Sequence, residues 1–232
     1  MTTSEKLVKV AENREKIYEA GKQAEHEEWW DKYLSHPDWI YRFGGRAWND
    51  ETFCPTKNLH PTGWAPMLFG CCCITDLVGI LEKCSVTLDT SGLVSRCDSM
   101  FLDSYFVTRV PYIDMSNVTY SSGADKTFYN CQELETVIGL RVNDAGTTSL
   151  VNAFYDCKKL KNIVIDGVVG VDFDIRYSPL TRASMESIVS ALSDTVTGKK
   201  VWLKKTAKTA AFTDAEWSAL IGSKPNWTFT LV

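Results

Sequence analysis

The chain lacks a basic excess: 25 lysines and arginines face 29 aspartates and glutamates, a formal charge of −4. No cluster of Lys and Arg offsets that balance, so nucleic acid is not an expected partner. No apolar run approaches the roughly 20 residues that a membrane-spanning helix requires, which argues against membrane insertion. The opening MTTSEKLVKVAENREK has no apolar stretch of signal-peptide length, and the expectation is synthesis in a bacterial cytoplasm. Histidine is scarce. His26, His36 and His60 stand in no spacing that would pair them with cysteines around zinc.

The signatures of catalysis are missing as well. There is no G-x-S-x-G, H-E-x-x-H, Walker loop or G-x-G-x-x-G. Asp114, Asp166, Asp172 and Asp174 fall in or near expected strands and could line one surface, as a glycosidase would need, but nothing selects a pair. Cys71, Cys72 and Cys73 with Cys54 or Cys84 could bind a soft metal, yet adjacent cysteines cannot all reach one ion without strain. The expectation is therefore a non-enzyme with no catalytic residue, metal or cofactor. Without a secretion signal, the eight cysteines are expected reduced, mainly as small buried hydrophobes.

What the chain does contain is a repeat. Phe101, Ser104, Val107 and Val110 share one spacing with Phe128, Cys131, Leu134 and Val137, and again with Phe154, Cys157, Leu160 and Ile163. The phenylalanines stand 27 and 26 residues apart. A degraded copy begins at Met67-Leu68-Phe69 and runs through Ile74 and Leu77, with an inserted helical turn around residues 76 to 83. Leu88-Asp89-Thr90-Ser91 and Ile113-Asp114-Met115-Ser116 are a second shared feature, one period apart. A unit of about 26 residues cannot bury its apolar edge alone, so neighbours must stack into a continuous core. Phe, Cys and Leu three apart are expected on one side of a helical or 3₁₀ turn, with Ile163-Val164-Ile165 as a short parallel strand. The side chains between them, Tyr129, Asn130, Tyr155 and Asp156, are the expected exposed binding positions, free to vary without disturbing the stack.

Four segments follow. Residues 1–34 read as one long helix, with a capping box from Thr2 to Glu5 and a thin apolar stripe through Leu7, Val10, Ala11, Ile17, Tyr18 and Ala24. At about 1.5 Å per residue it would reach roughly 45 Å, so attachment to a partner or coiled-coil self-association is expected there. Residues 35–66, preceded by Trp29 and Trp30 and carrying Trp39, Trp48 and Trp64, read as an aromatic N-terminal cap, with a glycan platform as the alternative. Residues 67–177 hold the repeats. Residues 178–232 read as an α+β C-terminal cap: a helix after Ser178-Pro179-Leu180-Thr181 burying Met185, Ile188, Val189 and Leu192, then a strand at Val201-Trp202-Leu203 between solvated lysines. The last helix has Thr213 as N-cap, Glu216 at its third position, a Phe212–Trp217 staple and Gly222 as its stop. Residues 227–232 form an edge strand.

The segment Ala153-Phe154-Tyr155-Asp156-Cys157-Lys158-Lys159-Leu160-Lys161-Asn162-Ile163-Val164-Ile165 resembles the BspA-like leucine-rich repeat of bacterial surface antigens, A-F-x-x-C-x-x-L-x-x-I-x-I. The Phe128 copy departs from it with Thr127 and Gly139, and the Phe101 copy with Ser104, leaving three to five repeats. The resemblance implies an α/β repeat fold, a short leucine-rich-repeat solenoid with a structural core of Phe101, Phe128, Cys131, Leu134, Phe154, Cys157, Leu160 and Ile163. The opening EKLVKVAENREKIYEAGKQAEHEEWWDKY, the SPLTRASMESIVSALSD segment and the WSALIGSKPNWTFTLV ending resemble small repeat proteins of phages and prophages of gut Gram-positive bacteria.

That second likeness implies a virion-associated protein of tail, fibre or baseplate type. Residues 1–34 would join it to other virion proteins, and the repeats would face a host cell-surface glycan or protein. A homo-oligomer is expected, with a trimer as the arrangement usual for phage fibres. A purely structural or decorating virion subunit, or an intracellular bacterial interaction protein, are the alternatives.

Overall fold

The computed structural model describes residues 58–61, 63–64, 75–119, 123–142 and 149–232. The long helix expected over 1–34, most of the aromatic segment 35–66 and the start of the degraded copy at 67–74 lie outside the described residues.

The described chain is mixed α/β, with small parallel sheets, four helices and no closed barrel. Strand β1 (Gly63–Trp64) pairs with β2 (Leu93–Arg96). Helix α1 (Leu77–Cys84) lies between them in sequence. Asp76 caps it, its carboxylate accepting from the Gly79 amide at 2.9 Å. Strands β3 (Arg109–Asp114), β4 (Thr136–Val142) and β5 (Asn162–Gly167) form the second sheet, all parallel and in that order.

Each of these strands is preceded by turns built on the three-residue spacing. The Ser104 amide donates to the Phe101 carbonyl, Cys131 to Phe128 and Cys157 to Phe154; the next residue of the series then donates in the same way, Leu134 to Cys131 and Leu160 to Cys157. These are the single turns expected, and they do not merge into a helix. Asp103, Asn130 and Asp156, each two residues past its phenylalanine, adopt φ of 57°, 62° and 63°, and a left-handed residue ends any right-handed helical run.

Turn sits on turn. The amides of Cys97, Ser99, Phe101 and Asp103 donate to the carbonyls of Gly123, Asp125, Thr127 and Tyr129, alternate residues in a constant register, and Phe128 and Asn130 donate to Ala153 and Tyr155. Inside, the rings of Phe101, Phe128 and Phe154 stack at centroid distances of 5.3 and 5.1 Å, and Phe173 closes the file edge-on at 5.7 Å. All four are buried, as are Cys131, Leu134, Cys157, Leu160 and Ile163, in one continuous core. Cysteine does more here than fill space. The Cys131 thiol donates to the Phe101 carbonyl and the Cys157 thiol to that of Phe128, so each ties its own turn to the one before. Burial pushes the Cys157 thiol well up, which keeps the donating proton in place.

The C-terminal part continues and closes this stack. Helix α2 (Arg182–Ala191) is capped by Thr181 and buries Met185, Ile188 and Val189. It also seals the open edge of β5: the hydroxyls of Ser184 and Ser187 accept from the amides of Ile163 and Ile165, both at 2.9 Å. A third parallel sheet, β6 (Phe173–Asp174), β7 (Lys199–Leu203) and β8 (Trp227–Leu231), is joined to the earlier turns through a bridge between Leu150 and Phe173. Between β7 and β8 lie α3 (Lys205–Ala211) and α4 (Asp214–Gly222).

Two expectations need correction. Gly222 does not stop α4 from outside but is its last residue, and Ser223 caps it with a right-handed φ of −69°. Cys84 is disulfide-bonded, not reduced. Lys205, which follows the strand and is exposed as expected, opens α3, a helix not foreseen. The capping box of Thr213 with Glu216 is present, and Phe212 meets Trp217 at 5.6 Å.

Candidate binding surface

The residue following each phenylalanine points the other way, so the inner file of rings has an outer counterpart. Tyr129 and Tyr155 stack at 4.7 Å with their planes 11° apart, and Tyr177 meets Tyr155 at 4.8 Å in a T-shaped contact. Tyr155 is 39% exposed and the others half-buried. The Lys126 ammonium lies 5.9 Å from the centre of the Tyr129 ring. Burial and a hydrogen bond with Tyr155 raise the Tyr177 hydroxyl above its ordinary value. Further along, the Arg176 guanidinium covers the Trp202 ring at 5.5 Å while paired with Asp174 at 2.7 Å.

This geometry limits what the surface can recognise. Rings that stack on each other have one face occupied, and the face is what a sugar ring would stack against. The file also presents ring edges and phenolic hydroxyls, which suit hydrogen-bonding partners.

Asn130 and Asp156 do not behave as the freely variable surface positions expected of them. Both are half-buried and both hold the left-handed turn described above. The Asn130 amide donates to Asp103 at 2.8 Å, and Asp156 accepts from Gln132 at 3.0 Å and from Lys158 at 2.9 Å. The bonds with Asp103 and Gln132 link successive units, so Asn and Asp are present because they tolerate φ near 60° and can bond sideways. Of the four nominated positions, only Tyr129 and Tyr155 keep a mainly outward role.

A second surface was not foreseen. On the outer face of β3–β4–β5, the Tyr112 ring crosses Gly139 on the neighbouring strand, and its hydroxyl donates to Asp166 on the strand beyond at 2.5 Å. A Cβ on Gly139 would lie 2.4 Å from that ring, so glycine is required for the crossing. Burial and the Asp166 carboxylate raise the Tyr112 hydroxyl to about 12. Ile138 and Val164 flank the crossing, 46% and 55% exposed.

The four aspartates considered for acid–base work have structural partners instead. Asp114 accepts from the amide and hydroxyl of Ser116 and lies 3.7 Å from Arg141. The same Asp-x-Ser turn recurs where Asp89 accepts from the Ser91 amide, which accounts for the shared motif. Asp166 holds Tyr112, Asp172 accepts from the Lys200 amide and Asp174 holds Arg176. Among the described residues no group of three or more His, Cys, Asp or Glu could hold a metal ion, and no helix is long and apolar enough to cross a membrane.

No protein-family model, curated protein or solved structure matches the chain.

Proposed function

We propose that the chain is a non-enzymatic binding scaffold: a short leucine-rich-repeat solenoid of BspA-like type, carried on a phage virion. Residues 1–34 attach it to other virion proteins, and the stacked units present their outer face to a protein or glycan of the host envelope. The observation that carries the reading is the pair of parallel files. Phe101, Phe128 and Phe154 fix the spacing of the units from inside, and Tyr129, Tyr155 and Tyr177 are thereby held at that spacing on the outside. Neighbour-to-neighbour stacking with a variable outer surface is how repeat proteins build extended binding faces. The virion setting rests on the likeness of the opening, the 178–194 segment and the ending to phage repeat proteins.

The ligand is held by hydrogen bonds to the ring edges and hydroxyls of the tyrosine file. The double variant Tyr129→Ser/Tyr155→Ser is expected to lower adsorption of the purified protein to host cells by at least about tenfold, a loss of about 1.4 kcal/mol. Unchanged adsorption, or a location of the polypeptide inside purified particles, would leave only a structural virion role.

A further inference from the structure

The two ends of the parallel ladders are finished differently. At β5 the outward amides of Ile163 and Ile165 are taken up by Ser184 and Ser187 of α2. At β8 no comparable cover exists among the described residues. In a parallel pair the amide and carbonyl of one residue turn to the same neighbour, and residues alternate in direction. Asn226 and Val232 face β7: the Gly198 amide donates to Asn226, the Lys205 amide to Val232, and the Val232 amide to Leu203. The even-numbered residues of β8 are therefore the paired set. Trp227, Phe229 and Leu231 direct their backbone groups outward, and of these only the Trp227 amide has a partner, the Lys224 carbonyl at 3.1 Å.

The strand is firmly held. The Trp227 indole donates to the Ser193 carbonyl at 2.8 Å, and Phe229 packs edge-on against Trp217 at 6.0 Å. It also carries none of the devices that blunt an edge: no proline, no charge and no bulge in its pairing with β7.

We infer that β8 pairs with β8 of a second copy of this chain, antiparallel about a two-fold axis at Phe229. The free groups are self-complementary about that residue. Phe229 of each copy donates to and accepts from Phe229 of the other, and the Leu231 amide of each reaches the Trp227 carbonyl of the other. Four hydrogen bonds result, and the Trp227 amide keeps its existing partner. Thr228 stands opposite Thr230 of the second copy on the solvent side, a favourable cross-strand pairing. The half-buried Phe229 rings lie beside each other, extending the core across the axis. An isologous contact of this kind uses up both edges and stops at two. The inference is independent of the virion reading, since it concerns only the C-terminal sheet.

The test uses the full chain. Leu231→Pro removes an outward amide that β7 does not use, a change an edge strand accommodates. Light scattering is expected to show the particle mass halved relative to the wild type. Hydrogen exchange on the unaltered protein supplies a second reading free of folding artefacts: the amides of Phe229 and Leu231 are expected to slow as concentration rises, while that of Val201 stays constant. An unchanged mass in the variant, or exchange at Phe229 and Leu231 independent of concentration up to about 100 μM, a range that a contact of modest area should reach, would overturn it.

Discussion

Phe128 and Tyr129 are neighbours in sequence, as are Phe154 and Tyr155, yet the two files they build do opposite work. The phenylalanines are buried to within 1% and touch rings above and below. The tyrosines stack at a similar spacing but remain half in water. The same period thus sets a core on one side and a surface on the other, and only the first is needed to hold the units together. Stacking alone adds about 0.5–1.5 kcal/mol per pair; removing a large aromatic from a closed interior costs several times that, because a cavity remains.

The sharpest way to break this comparison is to truncate both files. Phe128→Ala or Phe154→Ala is expected to destabilise by about 3–5 kcal/mol, whereas Tyr155→Ala should cost at most about 1.5 kcal/mol; urea titration of the three variants measures the difference. Equal losses would mean the files are not functionally separate. A middle-sized effect is expected at Asp156. Replacement by Ala keeps the left-handed strain and removes two side-chain bonds, for about 1–2 kcal/mol, while Asp156→Gly relieves the strain and should recover part of that in the same titration.

The smallest effect belongs to the exposed Arg182–Glu216 pair joining α2 to α4 at 2.9 Å. The Thr213 amide, the Arg182 guanidinium and the Thr213 hydroxyl hold the Glu216 carboxyl down to about 2 from its ordinary 4.5. The folded-state value lies below the unfolded one, so ionised Glu216 favours the fold above the ordinary carboxylate range. That contribution is lost as pH falls through about 2. Thermal melts of Glu216→Gln should accordingly show a shallower decline than the wild type across that window.

The inner file was legible in the sequence because burial imposes a period, and Phe-x-x-Cys-x-x-Leu repeats it openly. The left-handed turns left a fainter trace. Asp103, Asn130 and Asp156 are residue types that favour positive φ, recurring two places after each phenylalanine, but polar residues between core positions also read as ordinary surface. Helix α3 was hidden because Lys205–Ala211 carries no apolar stripe, burying only Ala207 and the stem of Lys208, whose ammonium pairs with Asp214. The Tyr112 crossing could not be read at all. It depends on a glycine one unit away and an aspartate two units away, and no local pattern links three residues on separate strands.

The serines of α2 have a consequence for how such a protein can change length. Backbone bonds between successive turns recur from unit to unit, Phe101 to Thr127 as Phe128 to Ala153 and Asp103 to Tyr129 as Asn130 to Tyr155, so a unit inserted or removed in the middle would find the same neighbours it left. The last strand meets α2 through two hydroxyls matched to two amides. Growth or shrinkage of the array is thereby confined to its interior, with Ser184 and Ser187 serving as a fixed terminus onto which an array of any length can be docked.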